Sequence, residues 1–577
     1  MLHRDVHHVA CLIMKPMAPV ARAIATDVLV IGAGAAGLAA ARAALLGGAD
    51  VVLADKGLIG QGGATIMAQM TVAAALGSEE ADDWTVHHDD TVTGGRGLNV
   101  PALAEALTRD APARILEVAG LGVRWAQRPD GGIRQVTAPG HSRKRCVYVD
   151  FLSSGPAISR ALKGDIRRRG GCRELKNLTV HRLLVGDGAV AGALAVDVAT
   201  GEPVTVRAGA VVLATGGCTR LFARSSACLN MTGDGHALAL RAGAELVDME
   251  FVQFFPIGTV HPHLIGLDPV MWDPFRYKLG GRLLNGRGEE FVEHYADEVG
   301  RYTALRDAAT YAILKEIEAG RGAPHGGVYL DFRGNGRERI RDAFGGVVEI
   351  LERQGLDLTR QPVEVAPLAH YTIGGVRTDA RMATGVPGLY AAGEVVGGAH
   401  GANRISGNAL TEALTFGGAA GASSAAHSLA LRRRPETTAS ERAAAESLGA
   451  LLARRGSTPP ARVRDEVQRV MWSDVGPFRT AAGLERAGQR LRDLEARELP
   501  ATGIAGPADS FNLDVQEMLN LDHALLTARA VAQAALARRE SRGAHQRTDH
   551  PDTADAWLGH HVQSLAGGRL ELRWLAA

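Results

Sequence analysis

The run Gly32-Ala33-Gly34-Ala35-Ala36-Gly37, early in a chain of 577 residues, has the spacing of a loop built to hold a phosphate ligand. Glycine at the first position permits a tight turn, at Gly34 a close backbone approach to a ligand, and at Gly37 tight packing of a helix on a strand. A helix leaving such a turn points its N–H groups and positive dipole end at an anion, and a pyrophosphate is the anion this spacing suits. The glycines alone are a weak signal; the elements around them must be right. Val28–Ile31 is an apolar β-rich run, Leu38–Leu46 is helix-forming, and Val51–Leu53 reads as a second strand. Asp55, followed by Lys56, ends that strand about 20 residues beyond the glycines, where a carboxylate can accept both ribose hydroxyls. The segment is read as the strand, turn, helix and strand of a dinucleotide-binding unit.

Three later segments favour FAD over NAD. Gly62-Gly63-Ala64 offers a second loop for backbone approach, and Ala214-Thr215-Gly216-Gly217 closes another strand. Gly388-Leu389-Tyr390-Ala391-Ala392-Gly393-Glu394 is a buried strand ending in a carboxylate suited to a ribityl hydroxyl. Two further strings follow, His370-Tyr371-Thr372-Ile373-Gly374-Gly375 and His400-Gly401-Ala402-Asn403-Arg404-Ile405-Ser406-Gly407-Asn408-Ala409-Leu410. With these blocks the chain resembles the flavoprotein family of succinate dehydrogenase, fumarate reductase and L-aspartate oxidase. The likeness runs from about Asp27 to Ser541-Arg542-Gly543-Ala544-His545-Gln546-Arg547.

The resemblance implies an FAD site built from the residues above together with Ala36, Lys56, Asp234, Ser406, Asn408, Ala409 and Leu410. A helix starting near Asn408 should aim its positive end at the flavin N1/C2 carbonyl and favour the anionic reduced flavin. Relatives that link flavin covalently carry a His shortly before the Gly-Gly loop. Here Gly57-Leu58-Ile59-Gly60-Gln61 has none, so the FAD is expected to be non-covalent.

The substrate assignments also come from the resemblance. Arg404 and His370 match the anchor for a substrate carboxylate, a guanidinium fork with an imidazole donor beside it. Arg306 matches the arginine that donates or accepts the proton. Free guanidinium is a poor acid, so it needs charged partners, and Asp273 and Arg276 are the candidates for a relay. Two departures stand out. Where the family has Gln-x-His-Pro-Thr this chain reads Gln253-Phe254-Phe255-Pro256-Ile257, and the relay threonine becomes Trp272. Both lost groups hold the far carboxylate in dicarboxylate enzymes, so a substrate with one anchored acid group and an apolar arm is expected. The alternative is that His261 or His263 supplies new donors and a dicarboxylate still binds. His141, in a Gly-His-Ser segment like that of the aspartate oxidases, could line the flavin or the channel. The acidic residue that would meet a substrate ammonium is missing there, Ala138 and Pro139 standing nearby.

Composition bounds the rest. Apolar residues make up 46% and charged residues 22%, with a net charge of +1, so neither nucleic acid nor an anionic membrane surface is indicated as partner. The five cysteines form no C-x-x-C and cannot supply an iron–sulfur cluster, so no metal site is expected and any such centre must sit on another polypeptide. No apolar run approaches the roughly 20 residues that span a bilayer, and a cytoplasmic location is the simplest reading. The fold class expected is α/β: a two-part FAD-binding domain at 26–254 and 370–431, interrupted by an α+β capping domain at 255–369. An N-terminal extension (1–25), a helical domain (432–540) and a C-terminal tail (541–577) complete it. The function expected is hydride transfer between flavin N5 and a C–C bond next to a carboxylate, on a small carboxylic acid. The electron partner expected is an iron–sulfur subunit. The rival readings are an aspartate-oxidase-like enzyme and a catalytically silent electron-transfer flavoprotein.

Overall fold

The computed structural model describes residues 22–150, 152–272, 276, 279–295, 305–509 and 511–576. Strand Arg22–Ile31, whose last four residues are all buried, runs into the glycine turn, and helix Ala35–Leu46 leaves it. In a seven-stranded sheet this strand pairs in parallel with Val51–Ala54 on one side and with Glu202–Leu213 on the other. Cys172–Leu175 extends the sheet in parallel beyond Val51–Ala54, and Leu389–Ala391 joins Glu202–Leu213 in parallel. Ala189–Asp197 and Leu178–Gly186 add an antiparallel flank. Strands buried on both faces read as continuous apolar runs, which is why the sheet was legible without alternation.

The strand that Ala214-Thr215-Gly216-Gly217 closes is a long one, Glu202–Leu213. Gly209 lies inside it because a Cβ there would come 2.0 Å from Ser428 Oγ on the overlying helix Asn408–Ala430.

A second sheet orders Val252–His261, Val363–Thr372, Val328–Asp331 and Arg282–Leu284, all antiparallel. It has its own core, including Ile257, Trp272, Phe291, Ile313, Phe332 and Leu351. Its two longest strands begin and end beside the first sheet's loops, so residues at their ends reach the glycine-rich region. Gln69, just beyond the Gly62-Gly63-Ala64 loop, bridges to this layer by donating to the Pro269 carbonyl at 3.2 Å.

Helices Thr438–Leu452, Pro460–Asp474, Ala481–Asp493 and Leu513–Ala537 follow. The last segment is more than a tail. Strands Gly559–Ala566 and Arg569–Ala576 form a hairpin around Gly567 and Gly568, both at positive φ as a tight two-residue turn demands. The hairpin joins Leu246–Val247 and Gly375–Val376 in a four-stranded sheet. Among the described residues no helix is long and apolar enough to cross a membrane.

Candidate functional site

A cavity of about 470 Å³ starts at the glycine turn and reaches the end of the second sheet. At the turn, Gly32 sits at φ +102°, and a Cβ there would come 2.2 Å from the Ala214 carbonyl oxygen. A Cβ at Gly37 would fall 1.8 Å from the Gly32 carbonyl oxygen. Gly37→Ala is therefore expected to cost more than about 3 kcal/mol or to open the turn, since rigid backbone cannot yield as a side chain can. Loss of flavin on gel filtration, together with a lowered Tm, checks this. The Asp55 carboxylate accepts from Ala33 N–H at 2.8 Å and Gly57 N–H at 2.7 Å, fixing the loop around it. Burial pushes this carboxyl above the usual range, against the pull of those amides and of Lys56. Lys56 Nζ donates to Asp234 at 2.8 Å and to Thr232 Oγ1 at 2.7 Å.

Of the expected cofactor residues, Gly32, Gly34, Ala36, Asp55, Lys56, Gly62, Gly63 and Ala64 line this cavity. So do Ala214, Thr215, Gly216, Asp234, Glu394, Ser406, Ala409 and Leu410. Gly37, Gly217, Gly393 and Asn408 do not. The three glycines instead make room: a Cβ on Gly217 would lie 2.3 Å from Glu394 Oε1, and one on Gly393 would lie 2.7 Å from the Ala36 Cβ. Asn408 turns its amide away, its Oδ1 accepting from His87 Nε2 at 2.9 Å while its Nδ2 donates to Thr91 at 3.1 Å. Sequence reasoning missed Thr65, which lines the cavity and whose hydroxyl accepts from Ala35 N–H at 2.9 Å, at the start of the first helix. No motif marks it.

These residues fit a flavin dinucleotide. The glycine cradle excludes side chains where backbone must approach, and a carboxylate stands at the ribose end. The buried Thr215 hydroxyl, lining the cavity, has no partner among the described residues. Glu394, whose carboxylate accepts from Thr372 N–H at 3.0 Å, is pushed by burial up to about 8, as suits a group that meets ribityl hydroxyls rather than a cation.

Helix Asn408–Ala430 opens at Gly407, φ +84°, with Ser406, Gly407 and Ala409 on the cavity wall. His141, expected to line the flavin or channel, does not reach it. Gly140, at φ +92°, turns the chain so that the His141 imidazole lies behind the wall and donates from Nε2 to the Ser406 carbonyl at 2.6 Å. Burial pushes His141 down to about 4 and His87 down to about 3, so both are neutral while folded. Unfolded, each would titrate near its ordinary 6.5. Their folded pKa values are depressed, so the stability they secure is full above about pH 6.5 and drains away as pH falls toward 4. Flavin release on acidification, read by its fluorescence, should start at least about half a pH unit lower in a His87→Gln/His141→Gln double variant, which cannot charge there. Coincident profiles would show that these imidazoles do not set the acid limit.

At the far end of the cavity stand His370, Arg404 and Phe255. His370 Nδ1 pairs with Ser226 Oγ at 2.8 Å, and the Phe255 ring lies 5.4 Å from the imidazole, centre to centre. The Arg404 guanidinium donates to Gln253 Oε1 at 2.9 Å and to the Ile405 carbonyl at 3.1 Å, and lies 4.6 Å over the Tyr371 ring. Gln253 also donates to the Arg404 carbonyl at 2.9 Å, so one side chain braces both ends of that residue. Its role was not evident in the sequence.

Trp272 corrects an expectation. It is fully buried in the core of the second layer, packs 6.1 Å from Phe332 and donates from its indole to Thr259 Oγ1 at 2.9 Å; it does not line the cavity. An indole satisfied within that core gains nothing by facing a ligand. Arg276 lies one turn beyond, its N–H donating to the Trp272 carbonyl at 3.0 Å, and is not on the cavity wall. Asp273 lies outside the described residues. Arg306 falls in the first turn of helix Leu305–Glu318, which packs against the two long strands of the second sheet, and its side chain lies outside the described residues.

Residues 27–410 match the FAD binding domain family, and residues 464–574 match the fumarate reductase flavoprotein C-terminal family. The Fumarate reductase flavoprotein subunit of Mycobacterium tuberculosis is 34% identical over 575 residues, covering 95% of this chain and 96% of its own. L-aspartate oxidase of Streptomyces coelicolor is 36% identical over 562 residues, covering 94% and 91%. The solved Mycobacterium smegmatis Sdh1, in complex with UQ1, superposes with a TM-score of 0.86 at 35% identity, covering 96% of this chain and 94% of that one.

Proposed function

Because this chain belongs to the fumarate reductase and succinate dehydrogenase flavoprotein family, an FAD-dependent oxidoreductase family acting on CH–CH groups, we propose a specific division of labour in its cavity. The observation that carries it is that one continuous cavity is lined by the dinucleotide loop, Gly32 to Asp55, and by His370 and Arg404.

FAD held there by the Gly32–Gly37 turn, Asp55 and Glu394 would supply hydride chemistry at a C–C bond next to the acid group, and in the reductive direction the β carbon would gain the hydride and the α carbon a proton as C=C becomes C–C. Arg404 and His370 grip the substrate carboxylate, which fixes the reacting carbons over the flavin and makes the β carbon electron-poor. Arg306 holds or delivers the proton at the α carbon, with Asp273 and Arg276 as the charged partners that make a guanidinium usable for it. Gln69, reaching across to Pro269, helps keep the second layer closed over the cavity and water out.

We read an iron–sulfur polypeptide as the electron partner. In support, Cys146, Cys172, Cys218 and Cys228 are free thiols scattered through the first domain, and residues 464–574 match the fumarate reductase flavoprotein C-terminal family. Free thiols also fit the reducing cytoplasm.

An anaerobic screen of carboxylic acids against the FAD-loaded chain tests the reading. Dithionite-reduced flavin should be reoxidised by an enoate. Flavin bleaching by L-aspartate in that screen, hydrogen peroxide formed once air is admitted, and no response to any enoate would instead establish the oxidase chemistry named for the 36%-identical relative.

A further inference from the structure

We propose that the substrate is a monocarboxylic enoate, or its saturated partner, whose end remote from the acid group is an apolar chain lying against Phe255 and Met271; this rests on the clamp and hydride site proposed above. Phe255 stands beside His370, and Met271, also on the cavity wall, is brought next to the same strand by its bridge to Gly258. Met70 lines the cavity too, next in the chain to Gln69, whose Oε1 accepts from Met271 N–H at 3.4 Å. Two thioethers and a phenyl ring form an adaptable apolar surface, suited to a flexible hydrocarbon arm.

The polar groups close to this surface are already engaged. The Gln69 amide spans Pro269 O and Met271 N, the Ser226 hydroxyl pairs with His370, and the Trp272 indole donates to Thr259. The two histidines that could have replaced the missing donors point elsewhere. His261 stacks on His325 at 4.0 Å, and His263 pairs with Asp268 at 3.2 Å with 88% of its side chain exposed. Neither lines the cavity. Among the described residues the cationic side chains on the wall are Arg404 and Lys56, and Lys56 is paired with Asp234. Among the described residues a second carboxylate against Phe255 and Met271 would be stripped of water and meet no partner, a cost that disfavours it against an arm that gains by burial.

The test uses FAD-loaded full-length chain, anaerobic, with oxidised-flavin absorbance as the binding readout. Butanoate, pentanoate, hexanoate and succinate are titrated in turn. Each added methylene should tighten Kd about fourfold, the factor for burying one CH2, and hexanoate should bind at least about tenfold tighter than succinate. Reduced flavin should be reoxidised by trans-2-hexenoate faster than by fumarate. In Phe255→His, which restores an imidazole donor, the order should reverse, with succinate tightening and hexanoate weakening. A flat chain-length series in the unaltered protein, with succinate or fumarate preferred, would overturn the apolar arm while leaving the hydride site standing. Silence towards all these acids would overturn both.

Discussion

Arg306→Ala should lower kcat by about three orders of magnitude while FAD stays bound and KM for the acid changes little. A residue that moves a proton in the transition state contributes there and not in the ground state, so its loss falls on kcat. A positioned acid or base commonly contributes a factor of about 100 to 10,000. An alanine side chain carries no group that can hold or pass a proton, so no recovery is expected between pH 6 and 9. Single-turnover reoxidation of the reduced flavin by an enoate isolates the step. Turnover within tenfold of the unaltered protein would remove Arg306 from proton transfer.

The second large effect belongs to Arg404→Gln, for which kcat/KM should fall about 100- to 1000-fold, with most of the loss in KM. Glutamine keeps a donor and loses the charge and the fork, and a truncated charge pair in a desolvated site typically costs about 2–5 kcal/mol. The guanidinium is held by contacts that do not involve substrate: Gln253 Oε1, the Ile405 carbonyl and the Tyr371 ring face. Its orientation is thus set before an acid arrives, and little ordering remains to be done on binding. Arg404→Lys should recover only part of the loss, because an ammonium cannot grip a carboxylate with two parallel bonds. FAD content should match the unaltered protein in both variants. Flavin loss would show that Arg404 acts on cofactor binding instead.

Much of the cofactor end was readable from residues alone. The glycine run, Asp55 and the flanking apolar segments lie within about 30 residues, and local spacing dictates the strand–turn–helix they form. Extending the reading to Gly62, Thr215, Glu394 and Ser406 needed either a strand ending in a distinctive residue or a string shared with the family. Thr65 carries no such mark. It matters only because the loop after Asp55 folds back over the start of helix Ala35–Leu46 and brings its hydroxyl to Ala35 N–H. Gln253 was visible as part of a string, yet its hold on Arg404, 151 residues away, follows from the approach of strand Val252–His261 to the loop that carries Arg404, which no local pattern encodes.

The misread residues share one cause. Trp272, His141 and Asn408 were assigned to the cavity through strings that resemble the family's. Within such a string each side chain goes where its own polar atom finds a partner. The indole found Thr259, the imidazole found the Ser406 carbonyl, and the amide found His87 and Thr91. Each supports the wall from behind.

Residue order alone was enough for the dinucleotide turn, the family and the class of chemistry, since these depend on glycines, carboxylates and arginines whose short-range spacing forces local geometry. Which groups face the ligand was left to packing: Phe255 and Met271 line the far end, His261 and His263 are turned away from it, and Gln253 braces the clamp. Those outcomes depend on how two sheets and a long helix come together. Packing selects among side-chain directions by burial and hydrogen-bond satisfaction, over distances that the order of residues does not record.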